Sequence, residues 1–328
     1  MRLLVTGGAG FVGSQFVRTI VSDQRFGLVG ASVTVIDKLA RGGSRANLAP
    51  VAGSPRLTFV EGDVCDAALV DELVAGQDAI VHFAAESHVD RSIESARPFV
   101  VANVLGTQTL LDAAVRHATG RFLHVSTDEV YGSIERGSWT EDRPLAPRSP
   151  YAASKAAADL HALACHHTHG LDVVITRASN TYGPYQHPEK IVPLFVTSLL
   201  DGRDVPLYGD GGNVREWLHV DDHCHGVALA LARGRPGHVY NVGGGVELTN
   251  RELTARLLRA CGAGSERVTA VADRKGHDRR YSLDASKITA ELGYRPRVDF
   301  ETGLAATIEW YRANRAWWEP LAAPAAVG

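Results

Sequence analysis

Residues 3–13 read Leu3-Leu4-Val5-Thr6-Gly7-Gly8-Ala9-Gly10-Phe11-Val12-Gly13, an apolar run that breaks into spaced glycines before helical spacing resumes at 14–21. Such a run is a strand feeding a tight turn and a helix. Gly7 can turn the chain, Gly10 can let backbone approach a pyrophosphate, and Gly13 can let the helix pack closely on the strand. The helix then offers its unpaired N–H groups to phosphate oxygens. Glycines alone also make ordinary structural turns, so the weight falls on Asp37, which closes the next apolar run. A carboxylate there accepts hydrogen bonds from an adenosine ribose and repels a 2′-phosphate. The expected cofactor is therefore NAD, with Lys38 and Arg41 keeping NADP as the lesser alternative. Asp63, after Phe59-Val60-Glu61-Gly62, sits at another strand end, where it either meets the adenine edge or stands as a surface carboxylate.

Outward from this turn, short apolar runs at 3–6, 32–37, 57–60, 79–84, 122–126 and 173–176 alternate with helical patterns, among them 14–21, 101–115 and 152–166. Strands apolar on both faces belong to a parallel sheet covered by helices. The expected class is α/β, a doubly wound Rossmann-type parallel sheet. After about Tyr182 the rhythm changes to loops marked by Pro184, Pro188, Pro193, Pro206 and the 209–212 glycine cluster, with helices expected near 221–231, 251–258 and 304–312. Residues 1–182 read as mainly the cofactor domain. Residues 183–328 read as mainly a smaller substrate-binding region, with excursions between the two.

A formal charge of −3 on 328 residues creates no field that would recruit nucleic acid or an anionic membrane. No apolar stretch nears the roughly 18 residues of a membrane span, and the chain opens directly as a strand. A cytoplasmic enzyme without nucleic-acid or membrane partners is the expectation. Cys65, Cys165, Cys224 and Cys261 are far apart and lack C-x-x-C spacing, which favours reduced thiols. His161, His166, His167 and His169 have no carboxylate companion beyond Asp159, so they read as surface or packing residues and no metal is expected.

Two stretches carry the chemistry: Ser126-Thr127-Asp128-Glu129 at the end of an apolar run, and Tyr151 with Lys155 at the start of a helix. Tyrosine and lysine four apart share one helical face. An adjacent ammonium and an oxidised nicotinamide favour the phenolate of a tyrosine whose ordinary pKa is about 10. Ser126 and Thr127, at a strand's carboxyl end, offer hydroxyls to a substrate alcohol. Alcohol oxidation needs no carboxylate pair. Asp128 and Glu129 would face opposite ways in a straight strand, so they are placed just beyond it, where a turn directs both at one substrate and crowding separates their titrations.

With these residues in view the chain resembles the extended short-chain dehydrogenase/reductases, and more narrowly the nucleotide-sugar 4,6-dehydratases. The resemblance runs from residue 1 to about 318. It rests on GGAGFVG at 7–13, AAESHVDRS at 84–92, STDEVYGS at 126–133, YAASK at 151–155, NTYGPYQHPEK at 180–190, PLYGDGGNVREWLHVDDH at 206–223 and DRKGHDRRYSLDASK at 273–287. It implies that Thr127, Asp128, Glu129, Tyr151 and Lys155 are catalytic. Tyr151 takes the proton of the carbon-4 hydroxyl, Glu129 removes the carbon-5 proton, protonated Asp128 helps the carbon-6 hydroxyl leave, and Tyr151 helps reprotonate carbon 5. It assigns Gly7, Gly10, Phe11, Val12, Gly13, Asp37, Lys38, Asp63, Val64, Ala84, Ala85, Ser87, Tyr151 and Lys155 to NAD. To the substrate, dTDP-glucose or a related nucleotide sugar, it assigns Ser87, His88, Thr127, Asn180, Lys190, Ile191, Pro206, Tyr208, Arg215, Asn250, Arg274 and His277. The C-terminal region becomes a nucleotide-sugar-binding domain. A homodimer through helices 101–115 and 152–166 is implied as well.

A sugar 4-epimerase, a dehydratase acting on a CDP- or GDP-hexose, and a non-catalytic nucleotide-sugar sensor remain the alternatives. The chain departs from the family pattern at Ala40-Arg41-Gly42-Gly43-Ser44, which lacks an aromatic neighbour for the adenosine, and at Ala102, where a hydroxyl is common. Weaker NAD retention is the expected consequence. Trp310, Trp317 and Trp318 near the C-terminus read as a cap on the core or a contact with another chain.

Overall fold

A computed structural model describes residues 1–23 and 27–322; positions 323–328 of the expected C-terminal region lie outside the described residues. The six apolar runs become β1 (Arg2–Thr6), β2 (Ser32–Asp37), β3 (Leu57–Glu61), β4 (Ala79–His82), β5 (Arg121–Thr127) and β6 (Val173–Ala178). Beyond them come β7 (Asn180–Tyr182), β8 (Val205–Tyr208), β9 (Val214–His219), β10 (His238–Val242), β11 (Val246–Thr249) and β12 (Val268–Val271). The main sheet is all-parallel, in the order β10-β6-β5-β4-β1-β2-β3.

The period-2 alternation of side chains explains why these strands are apolar throughout. Leu3, Val5, Val33 and Val35 enter one buried layer, while Leu4, Ile36 and Ile80 enter the other. Each face is closed by helices, so neither can be polar. The chain leaves β1 toward β2 and β3 and then crosses to β4, which opens a crevice at the carboxyl ends of β1 and β4, the place where open α/β sheets bind ligands.

The seventh strand, β10, was not anticipated. Its sequence His238-Val239-Tyr240-Asn241-Val242 mixes polar with apolar residues, yet it pairs in parallel with β6. Beyond residue 182, then, the helix Val220–Arg233 and β10 return to the first layer, while β9 and β11 join β7, from just before that boundary, in a separate three-stranded sheet and β8 pairs with β12. The three-stranded sheet packs with the helices Ile191–Leu200, Asn250–Cys261 and Phe300–Ala313 around Phe195, Trp217, Leu257 and Trp318.

The helix Pro150–His169 has explicit boundaries. The Ser149 side chain accepts the Ala152 N–H at 3.1 Å, Pro150 stands in the first turn, and Gly170 closes the helix in the left-handed conformation. This fixes Tyr151 and Lys155 on its first two turns, both buried.

The helix Arg97–Arg116 corrects one expectation. Its 20 residues pass the length and apolarity test for a membrane span, although the run is broken by Asn103 and Thr107. Those two side chains point inward, and 56% of the span is buried in the fold, which marks it as a core helix.

Candidate functional site

The crevice between β1 and β4 is shaped by what its glycines lack. Gly7 has φ +67°, and a Cβ there would stand 2.6 Å from the Ala84 nitrogen. A Cβ on Gly13 would stand 2.3 Å from the Gly7 carbonyl oxygen. Only bare backbone lets the turn and the helix Phe11–Arg18 close up in this way. Gly10 precedes that helix without a side-chain cap, so the first N–H groups stay available to an anion. At the end of β2, Asp37 accepts the Ala9 N–H at 2.9 Å and the Leu39 N–H at 2.8 Å. Burial raises its pKa while these backbone donors pull it back. Lys38 lies 3.5 Å from Asp63 and 4.0 Å from Glu86, so its charge is already matched by carboxylates.

Every residue assigned above to the cofactor borders this one cleft. An uncapped helix terminus, a glycine cradle and a buried carboxylate in one crevice fit a dinucleotide. Ser126, Gln186, His187, Glu189 and His223 border it too, without having been assigned to the cofactor. Gln186, His187 and Glu189 lay within the 180–190 motif. His223 closed the 206–223 motif without being assigned a role, and the packing of the helix Val220–Arg233 on the glycine-turn helix brings it round; beside it Cys224 Sγ donates to the Val12 carbonyl at 3.5 Å.

The carboxylate pair sits at the end of β5. Thr127 is the last extended residue, and Asp128–Tyr131 form a single tight helical turn. Thr127 Oγ1 accepts the Glu129 N–H at 3.3 Å and donates to Asp128 Oδ1 at 3.2 Å. The turn thus frees both carboxylates from strand alternation. Asp128 is 2% exposed, and its pKa is pushed well up, by burial first and then by the charges of Glu129 and Glu216. Glu129 is also raised by burial, but Arg274, Arg215 and Lys190 oppose the rise. The two neighbours therefore titrate apart, with Asp128 the stronger holder of its proton.

Tyr151 departs from expectation. Burial and the charges of Glu129 and Asp128 push its hydroxyl far above the ordinary tyrosine value, against the lowering effect of the hydrogen bond with Thr127. Lys155 Nζ instead donates to the Val125 carbonyl at 2.8 Å and lies 3.4 Å from His124 Nε2. The polypeptide alone therefore holds a neutral phenol. A positive charge bound beside the ring would favour the phenolate. Burial lowers the Lys155 ammonium to about 8, with Asp159 opposing.

Beneath this layer Asp159 lies 3.3 Å from His124 Nε2 and accepts Arg177 Nε at 2.8 Å. Arg177 also donates to the Tyr131 hydroxyl at 2.8 Å, and that hydroxyl donates to Asn241 Oδ1 at 2.9 Å. Arg177 holds Asp159 at about 2, so the buried floor keeps one fixed negative charge below Lys155. Sequence reading missed this network, because its members come from β5, the Asp128–Tyr131 turn, β6, β10 and the helix Pro150–His169.

On the substrate side, Lys190 Nζ donates to the Ser87 carbonyl at 2.7 Å. Arg215, 5% exposed, is braced by the carbonyls of Val214 and Asp278 and by the Tyr281 ring 4.3 Å away. Arg274 is 3.7 Å from Asp90, and its Nε is buried without a partner. Asn180 Oδ1 is likewise buried without a partner, and Asn250 starts the helix Asn250–Cys261. Pro206 and Tyr208 lie on β8, and Ile191 opens the helix Ile191–Leu200. His277 Nδ1 is 2.6 Å from Asp273 Oδ1, and its ring meets Tyr208 edge-on. His88 Nδ1 accepts the Arg91 N–H at 3.4 Å as a helix cap, so that nitrogen has a structural task. Among the described residues no cluster of His, Cys, Asp and Glu could hold a metal ion.

Comparison with known proteins adds identity to this geometry. Residues 4–307 match the family model described as GDP-mannose 4,6 dehydratase. A dTDP-glucose 4,6-dehydratase of Actinoplanes sp. is 64% identical over 97% of this chain and 100% of its own length. The crystal structure of a dTDP-glucose 4,6-dehydratase from Streptomyces venezuelae with NAD bound superposes with a TM-score of 0.97, at 64% identity over 98% of this chain and 100% of that one. A UDP-glucose 4-epimerase from Thermus thermophilus, in complex with NAD, is more distant, at TM-score 0.87 and 34% identity over 96% of this chain and 100% of that one.

Gly13→Ala tests the cradle. The added methyl has no room beside the Gly7 carbonyl, so NAD released from the denatured variant should fall about tenfold below wild type while far-UV dichroism is unchanged. Undiminished NAD in that variant would refute the cradle.

Proposed function

We propose that this chain, which belongs to the GDP-mannose 4,6-dehydratase family, converts dTDP-glucose to dTDP-4-keto-6-deoxyglucose and water. The supporting observation is the buried Asp128–Glu129 pair at the head of β5, beside Tyr151 and within the influence of Arg215, Arg274 and Lys190. An epimerase that only oxidises and reduces carbon 4 has no use for two desolvated carboxyls. High identity along the full length to dTDP-glucose 4,6-dehydratases supports the same substrate.

NAD, when bound, accepts hydride from carbon 4 and returns it to carbon 6. Gly7, Gly10, Phe11, Val12, Gly13 and Asp37 would hold its pyrophosphate and adenosine, Lys38, Asp63 and Val64 would flank the adenosine, and Ala84, Ala85, Ser87, Tyr151 and Lys155 would line the nicotinamide half. Tyr151 takes the proton of the carbon-4 hydroxyl, with Thr127 hydrogen-bonded to the phenol. The new ketone acidifies carbon 5, whose proton Glu129 removes while Asp128 gives its own proton to the departing carbon-6 hydroxyl. Of the two protons that Tyr151 and Glu129 have collected, one goes to carbon 5 and one reloads Asp128. The proton count then closes without exchange outside the site.

Arg215, Arg274 and Lys190 suit a diphosphate, and arginine forks can engage two oxygens each. Asn180, Asn250 and His277 would add polar contacts, and Ser87, His88, Ile191, Pro206 and Tyr208 would complete the walls. In this reading residues 1–182 mainly serve the cofactor and 183–328 mainly the nucleotide sugar.

The active assembly in this reading is a homodimer. Val100, Leu105 and Leu160 are each more than half exposed, and Val101 is 39% exposed. They belong to the helices Arg97–Arg116 and Pro150–His169, whose other faces are buried. A hydrophobic strip of this kind invites an equal strip from a second copy.

Mass spectrometry on dTDP-, UDP-, CDP- and GDP-hexoses tests the reaction. The dTDP-glucose product should be lighter by one water, and Glu129→Gln should stop that loss while some carbon-4 oxidation persists; a product of unchanged mass, or full dehydration by the variant, would contradict the assignment. For the assembly, light scattering should show a dimer that becomes monomeric in Leu105→Glu/Leu160→Glu. A double variant that remains dimeric would place the interface elsewhere.

A further inference from the structure

The tryptophan-rich end of the chain takes no part in the chemistry above, yet it reaches both walls of the cofactor cleft. Trp317 Nε1 donates to Asn47 Oδ1 at 2.9 Å. Asn47 is 1% exposed, and its Nδ2 donates to the Ala9 carbonyl at 2.8 Å, so the two bonds fix which way its amide points. Ala9 lies inside the glycine-rich turn, with its own N–H held by Asp37. One buried amide therefore links the indole to the backbone that faces the pyrophosphate position.

The same indole meets the opposite wall. Its ring lies edge-on to Tyr185 with centroids 5.5 Å apart. Tyr185 has φ +67°, a left-handed conformation that a bulky side chain keeps only when its surroundings enforce it. Those surroundings are Trp310, 4.5 Å from its ring, and the Arg18 guanidinium, 4.0 Å above it. Gln186, His187 and Glu189, just after Tyr185, border the cleft. Trp318 next door is different: it is fully buried, and its Nε1 bonds the Tyr311 carbonyl, as a core residue would.

We infer that Trp317 is a positioning residue of the cofactor site: by tying the glycine-rich turn, through Asn47, to the segment 185–189, through Tyr185, it slows the departure of bound NAD. The inference rests on the reading of this cleft as the NAD site. It also bears on the loop at 40–44, where the sequence suggested weak retention. Ser44 N–H bonds the same Ala9 carbonyl at 3.0 Å, so that loop and the C-terminal indole converge on one backbone atom through Ser44 and Asn47.

The test is the rate at which purified holoenzyme loses NAD during timed dialysis, measured for wild type, Trp317→Phe, Trp317→Ala and Trp310→Phe. Trp317→Phe keeps a ring beside Tyr185 and deletes only the N–H, and should release NAD about fivefold faster, the usual effect of one hydrogen bond. Trp317→Ala should be faster still, while Trp310→Phe, which perturbs the same aromatic cluster without touching Asn47, should stay within about twofold of wild type. Release from Trp317→Phe at the wild-type rate would overturn the inference, as would equal acceleration in Trp310→Phe, which would reduce the effect to loosened packing. A wild type that neither carries NAD nor takes it up when NAD is added would instead refute the cofactor reading itself.

Discussion

Desolvation of two adjacent carboxyls is the constraint around which the rest of this site is arranged. Asp128 and Glu129 are removed from water at the carboxyl end of β5, and burial is the first cause of both raised pKa values. A buried carboxylate without compensation gives up its charge. Here the compensation is unequal. Glu129 has three cations bearing on it, whereas Asp128 has Arg215 set against the charges of Glu129 and Glu216. In the proposed reaction, elimination needs an acid and a base within one hexose of each other, and unequal compensation would supply them from similar side chains.

In the proposed reading the two halves of the fold divide this work. The parallel sheet supplies the glycine cradle, Asp37 and the carboxyl end of β5, while Arg215, Arg274 and Lys190 come from segments beyond residue 182. The acidic pair therefore acquires its asymmetry only where the halves meet. The C-terminal helices reinforce that meeting from behind, since Tyr311 and Trp317 contact the segment 185–186. Below the pair, Asp159 and Arg177 form a dry ion pair at 2.8 Å. Asp159 is lowered to about 2, so its stabilising contribution is complete above the unfolded carboxylate value and is lost only as pH falls from there toward 2.

Much of this was legible in the residues, for identifiable reasons. The six apolar runs became the six expected strands because a sheet covered on both faces must be apolar throughout, and the cofactor residues converge because a glycine turn and a strand-end carboxylate leave local signatures. β10 was hidden because Asn241 and His238 interrupt its pattern: the Asn241 amide is consumed by the Trp139 carbonyl, a contact invisible in sequence. The Tyr151–Lys155 spacing placed both side chains on one buried helical face, while spacing does not reveal that Lys155 Nζ is engaged by the Val125 carbonyl. Trp317 reaches the site through packing between distant elements, and no local pattern announces that.

The central claim is that Asp128 holds its proton to higher pH than Glu129 does. Difference infrared spectroscopy of the holoenzyme, wild type against Asp128→Asn, measures this directly. The account predicts a protonated-carboxyl band in the wild type at neutral pH that disappears in the variant and, in wild type, fades only as pH is raised. A wild type whose lost signal is that of an ionised carboxylate would contradict it.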